Sequence, residues 1–128
     1  MSQYQRGSEW RRWELHLHTP GTIKNDQYTG SSIEEKWNIF YNDIATYIGD
    51  GTDITRNAVV LGITDYLSVE NYKKVLNDNR LPATIKLVLP NVEMRMYPLS
   101  RRSGINIHFI FDPAIVNELD DRFFHKCQ

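Results

Sequence analysis

The stretch Trp13-Glu14-Leu15-His16-Leu17-His18-Thr19-Pro20 decides how the rest of this chain is interpreted. Large apolar residues alternate with polar ones up to His18, and this alternation predicts a β-strand with one buried face. Two imidazoles spaced two residues apart on one strand face can reach the same metal ion. The predicted faces are Trp13, Leu15 and Leu17 on one side and Glu14, His16 and His18 on the other.

Composition indicates one domain of ordinary type over residues 1–128. The chain is 41% hydrophobic and 24% charged with a formal net charge of −1, so binding to nucleic acid would have to be local. The N-terminus lacks the apolar core of a signal peptide, and no apolar run approaches the roughly 20 residues that span a bilayer. The single cysteine, Cys127, cannot form an internal disulfide. We therefore expect a cytoplasmic protein with no membrane segment.

The order of predicted elements indicates an α/β fold with parallel strands that alternate with helices. A closed (β/α)₈ barrel needs about 250 residues, so we expect either an open sheet or part of a barrel. Helices are predicted to begin at the capping residues Ser32 and Ser68 and after Pro113. After the first stretch, strands are predicted over 58–64, over 84–89 with an interruption at Pro90-Asn91 and a continuation to Met96, and over 105–111.

Polar residues with metal-binding chemistry recur at the ends of these strands. Besides His16 and His18 they are Asp65, Glu93 and His108. Imidazole and carboxylate together suit Zn²⁺, Mn²⁺ or Fe²⁺, and a glutamate can bridge two ions about 3.5–4 Å apart. Each residue also has a simpler explanation: a hydrogen-bonded core histidine, a turn or helix-capping aspartate, or a solvated glutamate.

Four motifs in order, "ELHLHT", "LGITDY", "LPNVEM" and "NIHFIF", resemble the PHP domain of polymerases and histidinol phosphatases. The flanking stretches "RGSEWRRWELHLHTP" and "GITDYLSVENYKK" are similar to the N-terminal PHP domain of TrlF-type AAA-like ATPases. The resemblance implies a distorted (β/α)₇ barrel that hydrolyses phosphoesters with up to three metal ions. It implies that His16 and His18 bind one ion, that Glu93 bridges to a second held by His108, and that Asp65 takes a catalytic or hydrogen-bonding place beside them.

Two departures from the family pattern affect this expectation. Tyr66 stands where the family usually has a histidine. In the loop after the first motif, where the family usually has an acidic or histidine ligand, only Asp26 is available, so two ions are expected rather than three. The family's C-terminal Asp-x-His motif has no counterpart before Gln128. We therefore expect the N-terminal part of a PHP-like barrel that is truncated, that takes ligands from a partner chain, or that is inactive.

The resulting primary hypothesis is a metal-dependent phosphoesterase, specifically a nuclease module. Arg95, Arg101 and Arg102 form a basic group that could bind substrate phosphates, although a solvated loop explains them equally. The alternatives are a degenerate module that docks to an ATPase or polymerase partner or to a second copy of the chain, and a small-molecule phosphatase. A C-terminal ATPase region of the same protein is a further candidate partner.

Overall fold

The structure is a computed structural model that describes residues 11–23, 26–49, 57–98 and 102–127. Four strands form one sheet, curled like half of a barrel, in the order β1-β2-β3-β4. Their bounds are β1 (Arg12–His18), β2 (Ala58–Tyr66), β3 (Leu87–Met96) and β4 (Ile105–Ile110). The predicted mixed α/β class is thus confirmed.

The fourth strand departs from the expected arrangement. The first three strands are parallel, but β4 runs antiparallel to β3. The expectation that all strands are parallel is therefore wrong for β4. The physical reason is the short connection over 97–104, because a parallel connection needs a crossover of about a dozen residues or more.

The first helix begins where the sequence predicts, whereas the second begins one residue later, with Val69 rather than Ser68 at the N-cap position, and the segment after Asp112 begins as a 3₁₀ turn. The Ser32 hydroxyl accepts a hydrogen bond from the Glu35 N–H at 3.1 Å, and the Ser68 hydroxyl accepts one from the Glu70 N–H at 3.1 Å. The carboxylate of Asp112 accepts from the Ala114 N–H at 2.9 Å. The elements are α1 (Ile33–Asp43) with a π-type turn (Ile44–Ile48), α2 (Glu70–Asp78), a 3₁₀ segment (Pro113–Glu118), α3 (Leu119–Arg122) and a last 3₁₀ turn (Phe124–Lys126).

All of these helices pack against one face of the sheet. A single apolar core joins them to the strands, and no described helix covers the opposite face, which we call the open face. The stability of the described fold therefore comes from one side of the sheet, where apolar area is removed from water. Fully buried core members include Phe40 of α1, Leu61 of β2, Val75 of α2 and Val92 of β3.

A β-bulge in β1 changes the predicted alternation. Glu14 pairs with Leu61 and Leu17 pairs with Ile63, so three steps along β1 match two steps along β2. Glu14 and Leu17 therefore share the helix-covered face, and Trp13 lies on the open face opposite Val60. The sequence analysis predicts Glu14 on the face of the histidines and Trp13 on the face of Leu17. Both predictions are wrong, because the extra residue in the bulge exchanges the faces of the residues that precede it. His16 and His18 do share a face, as predicted.

Gly62 of β2 makes room for this bulge. A Cβ atom built on Gly62 would overlap the carbonyl group of Leu15 and lie 2.8 Å from the Leu15 Cα. The backbone of β1 thus approaches β2 more closely than any side chain at position 62 would permit.

The predicted interruption at Pro90-Asn91 is wrong, because β3 runs through both residues. The Pro90 carbonyl accepts from the Phe111 N–H at 3.1 Å, and pairing with β4 begins only at Asn91. Proline lacks an N–H, but at the end of the β3–β4 ladder this absence removes no strand-pairing hydrogen bond.

We expect Gly62→Ala to lower the free energy of unfolding by about 3 kcal/mol, because the added methyl group displaces backbone. Gly104→Ala is the matched control. Its added Cβ would meet only the flexible side chains of Arg95 and Tyr97, so we expect a loss below about 1 kcal/mol. Urea unfolding followed by tryptophan fluorescence measures both, and equal losses would contradict the proposed close approach.

Candidate metal centre

The open face brings together the four residues that the sequence analysis assigned to metal binding. Glu93 of β3 lies directly opposite His108 of β4, and His16 and His18 come from β1. One donor atom from each of His16, Glu93 and His108 lies within 4.8 Å of the others. The His18 Nε2 lies 2.9 Å from the His16 Nε2 and 3.5 Å from the Glu93 Oε2. We call these four residues the His/Glu cluster.

The two oxygens of the Glu93 carboxylate differ: one accepts a hydrogen bond, whereas the other accepts none among the described residues and lies 3.5 Å from the His18 Nε2, an ion-pair distance when His18 is protonated. Glu93 is 3% exposed, and its Oε1 accepts a hydrogen bond from the Asn106 amide at 2.7 Å. Within the described ranges, its Oε2 is buried and has no hydrogen-bond partner. A buried carboxylate oxygen without a donor costs free energy. The orientation of Oε2 towards the histidines therefore suits a cation at that point.

The spacing of the imidazoles suits shared ligation as well as a hydrogen bond. Two nitrogen ligands that each lie about 2.0–2.1 Å from one ion, at angles between octahedral and tetrahedral values, are about 2.8–3.4 Å apart. The observed Nε2–Nε2 distance of 2.9 Å between His16 and His18 lies in that range. The rings of His16 and His108 are in edge contact, with centroids 4.5 Å apart. All three rings are thus directed at one small region.

Electrostatics favour the neutral, ligating form of two of these histidines. Burial lowers the pKa of His18 and of His108, and the nearby imidazole of His16 lowers it further, whereas Glu93 acts in the opposite direction. A histidine must be neutral to bind a metal ion. In the folded chain, His18 and His108 therefore stay neutral, and able to bind a metal ion, at a lower pH than a free histidine does.

Asp65 lies apart from this cluster. It pairs with Val92 on the helix-covered face and is 4% exposed. Burial raises its pKa, and the N–H groups of Asn71 and Tyr66 partly offset that effect by stabilising the carboxylate. These contacts link the end of β2 to the start of α2. The predicted catalytic role of Asp65 therefore remains a prediction that no contact with the cluster supports.

The predicted arginine group is only partly described. Arg95 is exposed and pairs with Asn106 across β3 and β4, and its Nε donates to the Asn106 Oδ1 at 2.9 Å. The Asn106 Nδ2 in turn donates to the Glu93 Oε1, so Asn106 links Arg95 to the His/Glu cluster. Arg102 is exposed, and Arg101 lies outside the described residues. Phosphate binding by the three arginines remains a prediction.

The replacement ligand considered for a third ion has other partners. The Asp26 carboxylate accepts from the N–H groups of Gly21 at 3.0 Å and Tyr28 at 3.1 Å, and from the Lys36 ammonium at 3.0 Å. These hydrogen bonds connect Asp26 to residues on both sides of it in the chain and to α1, which indicates a structural role. Tyr66 pairs with Glu93 in the β2–β3 register and lies on the open face.

Two asparagines that the sequence analysis did not assign to the site complete it. Asn91 is 3% exposed, with its Nδ2 donating to the Leu15 carbonyl at 2.7 Å and its Oδ1 lying 3.1 Å from the His108 Nδ1. Asn106 holds Glu93 as described above. Each asparagine stands two residues before a cluster member, Glu93 or His108, and strand alternation therefore puts it on the same face. This spacing of two residues is the sequence feature from which both asparagines could have been predicted to lie beside the cluster.

The donor set fits a divalent cation, because imidazoles converge on one region with a carboxylate whose buried oxygen accepts no hydrogen bond from the residues that the structure describes. Searches of family models, curated proteins and solved structures found no significant match to this chain. Among the described residues no helix is long and apolar enough to cross a membrane. Fold and site together define a mixed α/β protein whose curled sheet carries a candidate metal centre on its open face.

We expect Glu93→Gln to abolish stabilisation by added Mn²⁺ or Zn²⁺. A ligand that binds only the folded state at about 100 times its Kd contributes about 2.7 kcal/mol, which thermal unfolding with and without metal detects. Without metal, the variant should be at least as stable as the wild type, because the buried Oε2 loses its charge. Glu14→Gln, on the other face of the sheet, is the control and should keep the metal effect. An undiminished effect in Glu93→Gln would exclude the centre.

We expect the metal-free chain to lose stability as the pH falls from about 7.5 to about 5.5. The pKa values of His18 and His108 are lowered below 6.5 in the folded chain, so the unfolded chain binds more protons in that window. Stability then rises with pH through the window and is lost as the pH falls. Urea midpoints in the presence of a chelator measure this slope. The double variant His18→Gln/His108→Gln removes both histidines and should show a smaller change of stability with pH. An unchanged slope would contradict the assignment of this pH dependence to His18 and His108.

Proposed function

We propose that this chain is a metal-dependent phosphoesterase of the PHP type, acting as a nuclease module on phosphodiester bonds. The observation that carries the proposal is the buried Oε2 of Glu93, which accepts no hydrogen bond in the described part of the chain and is directed into a group of three histidines. The resemblance of the four motifs to the PHP domain gives this cluster its reaction class. The curled sheet is compatible with part of the barrel that the family implies, and a cytoplasmic location remains part of the proposal.

The cluster residues would hold two divalent ions, of Mn, Zn or Fe. When bound, such ions lower the pKa of a water molecule and stabilise the charge that develops on phosphoryl oxygens. Glu93 lies between the β1 histidines and His108, so it is the residue suited to bridge two positions. The lowered pKa values of His18 and His108 keep these side chains neutral at neutral pH.

Arg95 is the described cation best placed to meet a substrate phosphate. Its Nε is occupied by Asn106, which orients the guanidinium plane at the rim of the cluster. A guanidinium suits bidentate contacts with phosphate oxygens. In the proposal, Arg101 and Arg102 extend this contact along a polynucleotide backbone, which favours a phosphodiester over a small phosphomonoester.

A second function is favoured by a separate observation on the same face. Trp13 is 58% exposed, Ile110 45% and Leu87 41%, and strand pairing places all three on the open face. Large apolar side chains exposed together on a sheet face are typical of a surface that contacts another protein segment. This surface supports the alternative of an interaction module for an ATPase or polymerase partner, an ATPase region of the same protein, or a second copy of the chain.

We expect the wild-type chain with Mn²⁺ or Zn²⁺ to cleave single-stranded DNA or RNA oligonucleotides. His16→Ala and Glu93→Ala should reduce cleavage to the rate without protein, because each removes a ligand from the cluster. His125→Ala is the matched control, since His125 is exposed and lies in the last 3₁₀ turn. It should retain full activity. Gel analysis of labelled oligonucleotides and circular dichroism measure cleavage and folding.

The substrates separate the candidate functions. Faster turnover of phosphomonoesters than of oligonucleotides would favour a small-molecule phosphatase. Equal cleavage by the wild type and by folded His16→Ala would reject the proposed active site. A folded wild-type chain that cleaves no phosphoester with any of the three metals would favour the interaction module.

A further inference from the structure

We propose that Asn91 is a positioning residue that fixes the tautomer of His108, so that the His108 Nε2 presents its lone pair to the cluster. The purpose of this arrangement rests on the proposed function, because a neutral imidazole binds a metal ion through a nitrogen without a proton. The arrangement itself rests on hydrogen bonds within the chain and can be measured without metal.

The Leu15 carbonyl determines the orientation of the Asn91 amide. A carbonyl oxygen only accepts hydrogen bonds, so the Asn91 group that meets it at 2.7 Å must be the NH₂ group. The Asn91 Oδ1 is then the atom that faces the His108 Nδ1 at 3.1 Å. Because an amide oxygen also only accepts, the proton of neutral His108 resides on Nδ1. The Nε2 therefore carries the lone pair.

Burial makes this choice of tautomer effective. Asn91 is 3% exposed, so no water competes readily for its Oδ1, and rotating the amide would leave its oxygen facing the Leu15 carbonyl oxygen, two acceptors with no donor between them. Asn91 also reaches across the sheet, from the bulged backbone of β1 to the side chain of β4. The position of His108 is thereby tied to the same irregularity that directs His16 and His18 to the open face.

The other tautomer would oppose metal binding. With the proton on Nε2, His108 would direct an N–H at the region where the ligands converge, and that proton would have to move before ligation. Within the described part of the chain, the His18 Nδ1 has no hydrogen-bond partner. Within those described residues, an acceptor at Nδ1 is therefore present for His108 and not for His18.

Long-range ¹H–¹⁵N NMR of the uniformly ¹⁵N-labelled, metal-free chain reads each histidine tautomer directly. At a pH of about 8, above the free histidine pKa of about 6.5, we expect wild-type His108 to be in the Nδ1–H form. Its signals are assigned by their loss in His108→Gln. Finding wild-type His108 in the Nε2–H form would overturn the proposal with no variant needed.

Three asparagine variants test the cause. Asn91→Ala should shift His108 towards the Nε2–H form and weaken Zn²⁺ or Mn²⁺ binding about 10- to 100-fold. Asn91→Asp keeps an oxygen acceptor for the Nδ1–H, so it should retain the wild-type tautomer, but its second carboxylate oxygen would face the Leu15 carbonyl in place of the NH₂ donor, so we expect it to be less stable than the wild type. Asn106→Ala is the control, because Asn106 holds Glu93 and not His108; it should leave the His108 tautomer unchanged.

The outcomes separate this inference from the proposed function. An Nδ1–H form that persists fully in folded Asn91→Ala, or an Nε2–H form in Asn91→Asp, would overturn the role of Asn91. If Asn91→Ala does not fold, the wild type and Asn91→Asp decide the question. A chain that cleaves nothing but shows the expected tautomers would reject the phosphoesterase and leave the positioning role supported. Cleavage by a chain with His108 in the Nε2–H form would do the reverse.

Discussion

The close approach of the Leu15 carbonyl to Gly62 is the constraint on which the site depends. The bulge in β1 displaces this carbonyl from the regular ladder, and the missing side chain at position 62 leaves room for it. The Asn91 amide then satisfies the displaced carbonyl at 2.7 Å and reaches His108 with its other end. One backbone irregularity thus connects all four strands of the described sheet, and bulges beside active sites commonly redirect side chains.

The two faces of the sheet have different roles: one stabilises the fold, and the other carries the candidate metal centre. The helix-covered face contains the apolar core, whereas the open face contains buried polar atoms that lack partners. Three of the six such side-chain atoms found in the described residues lie at or beside the cluster: the His18 Nδ1, the Thr64 Oγ1 and the Glu93 Oε2. Each costs on the order of 1–3 kcal/mol if nothing binds it. Such local losses of stability are expected where sequence is selected for a function rather than for the fold.

Much of this arrangement could be predicted from local sequence, and the failures have identifiable physical causes. Helix starts depend on residues within one turn, so the cap at Ser32 was predictable and the start of α2 was predictable to within one residue. The bulge depends on a glycine in another strand, which strand alternation within β1 cannot reveal. The face on which Asp65 lies also follows from local alternation, since Ile63 is a core residue and Asp65, two residues later, lies on the same helix-covered face. The antiparallel direction of β4 was likewise implied by the short connection over 97–104.

The pattern of satisfied and unsatisfied atoms separates a ligand-binding cluster from a purely structural group of histidines. A structural group closes its hydrogen bonds internally, because unpaired buried polar atoms are costly. In this cluster, two asparagines satisfy the atoms that point away from the centre, the Glu93 Oε1 and the His108 Nδ1. The inward Glu93 Oε2 has no hydrogen bond among the described residues. Such an asymmetry is the arrangement expected when the centre is completed by a cation, because a cation accepts lone pairs from every side and needs no donor among the ligands.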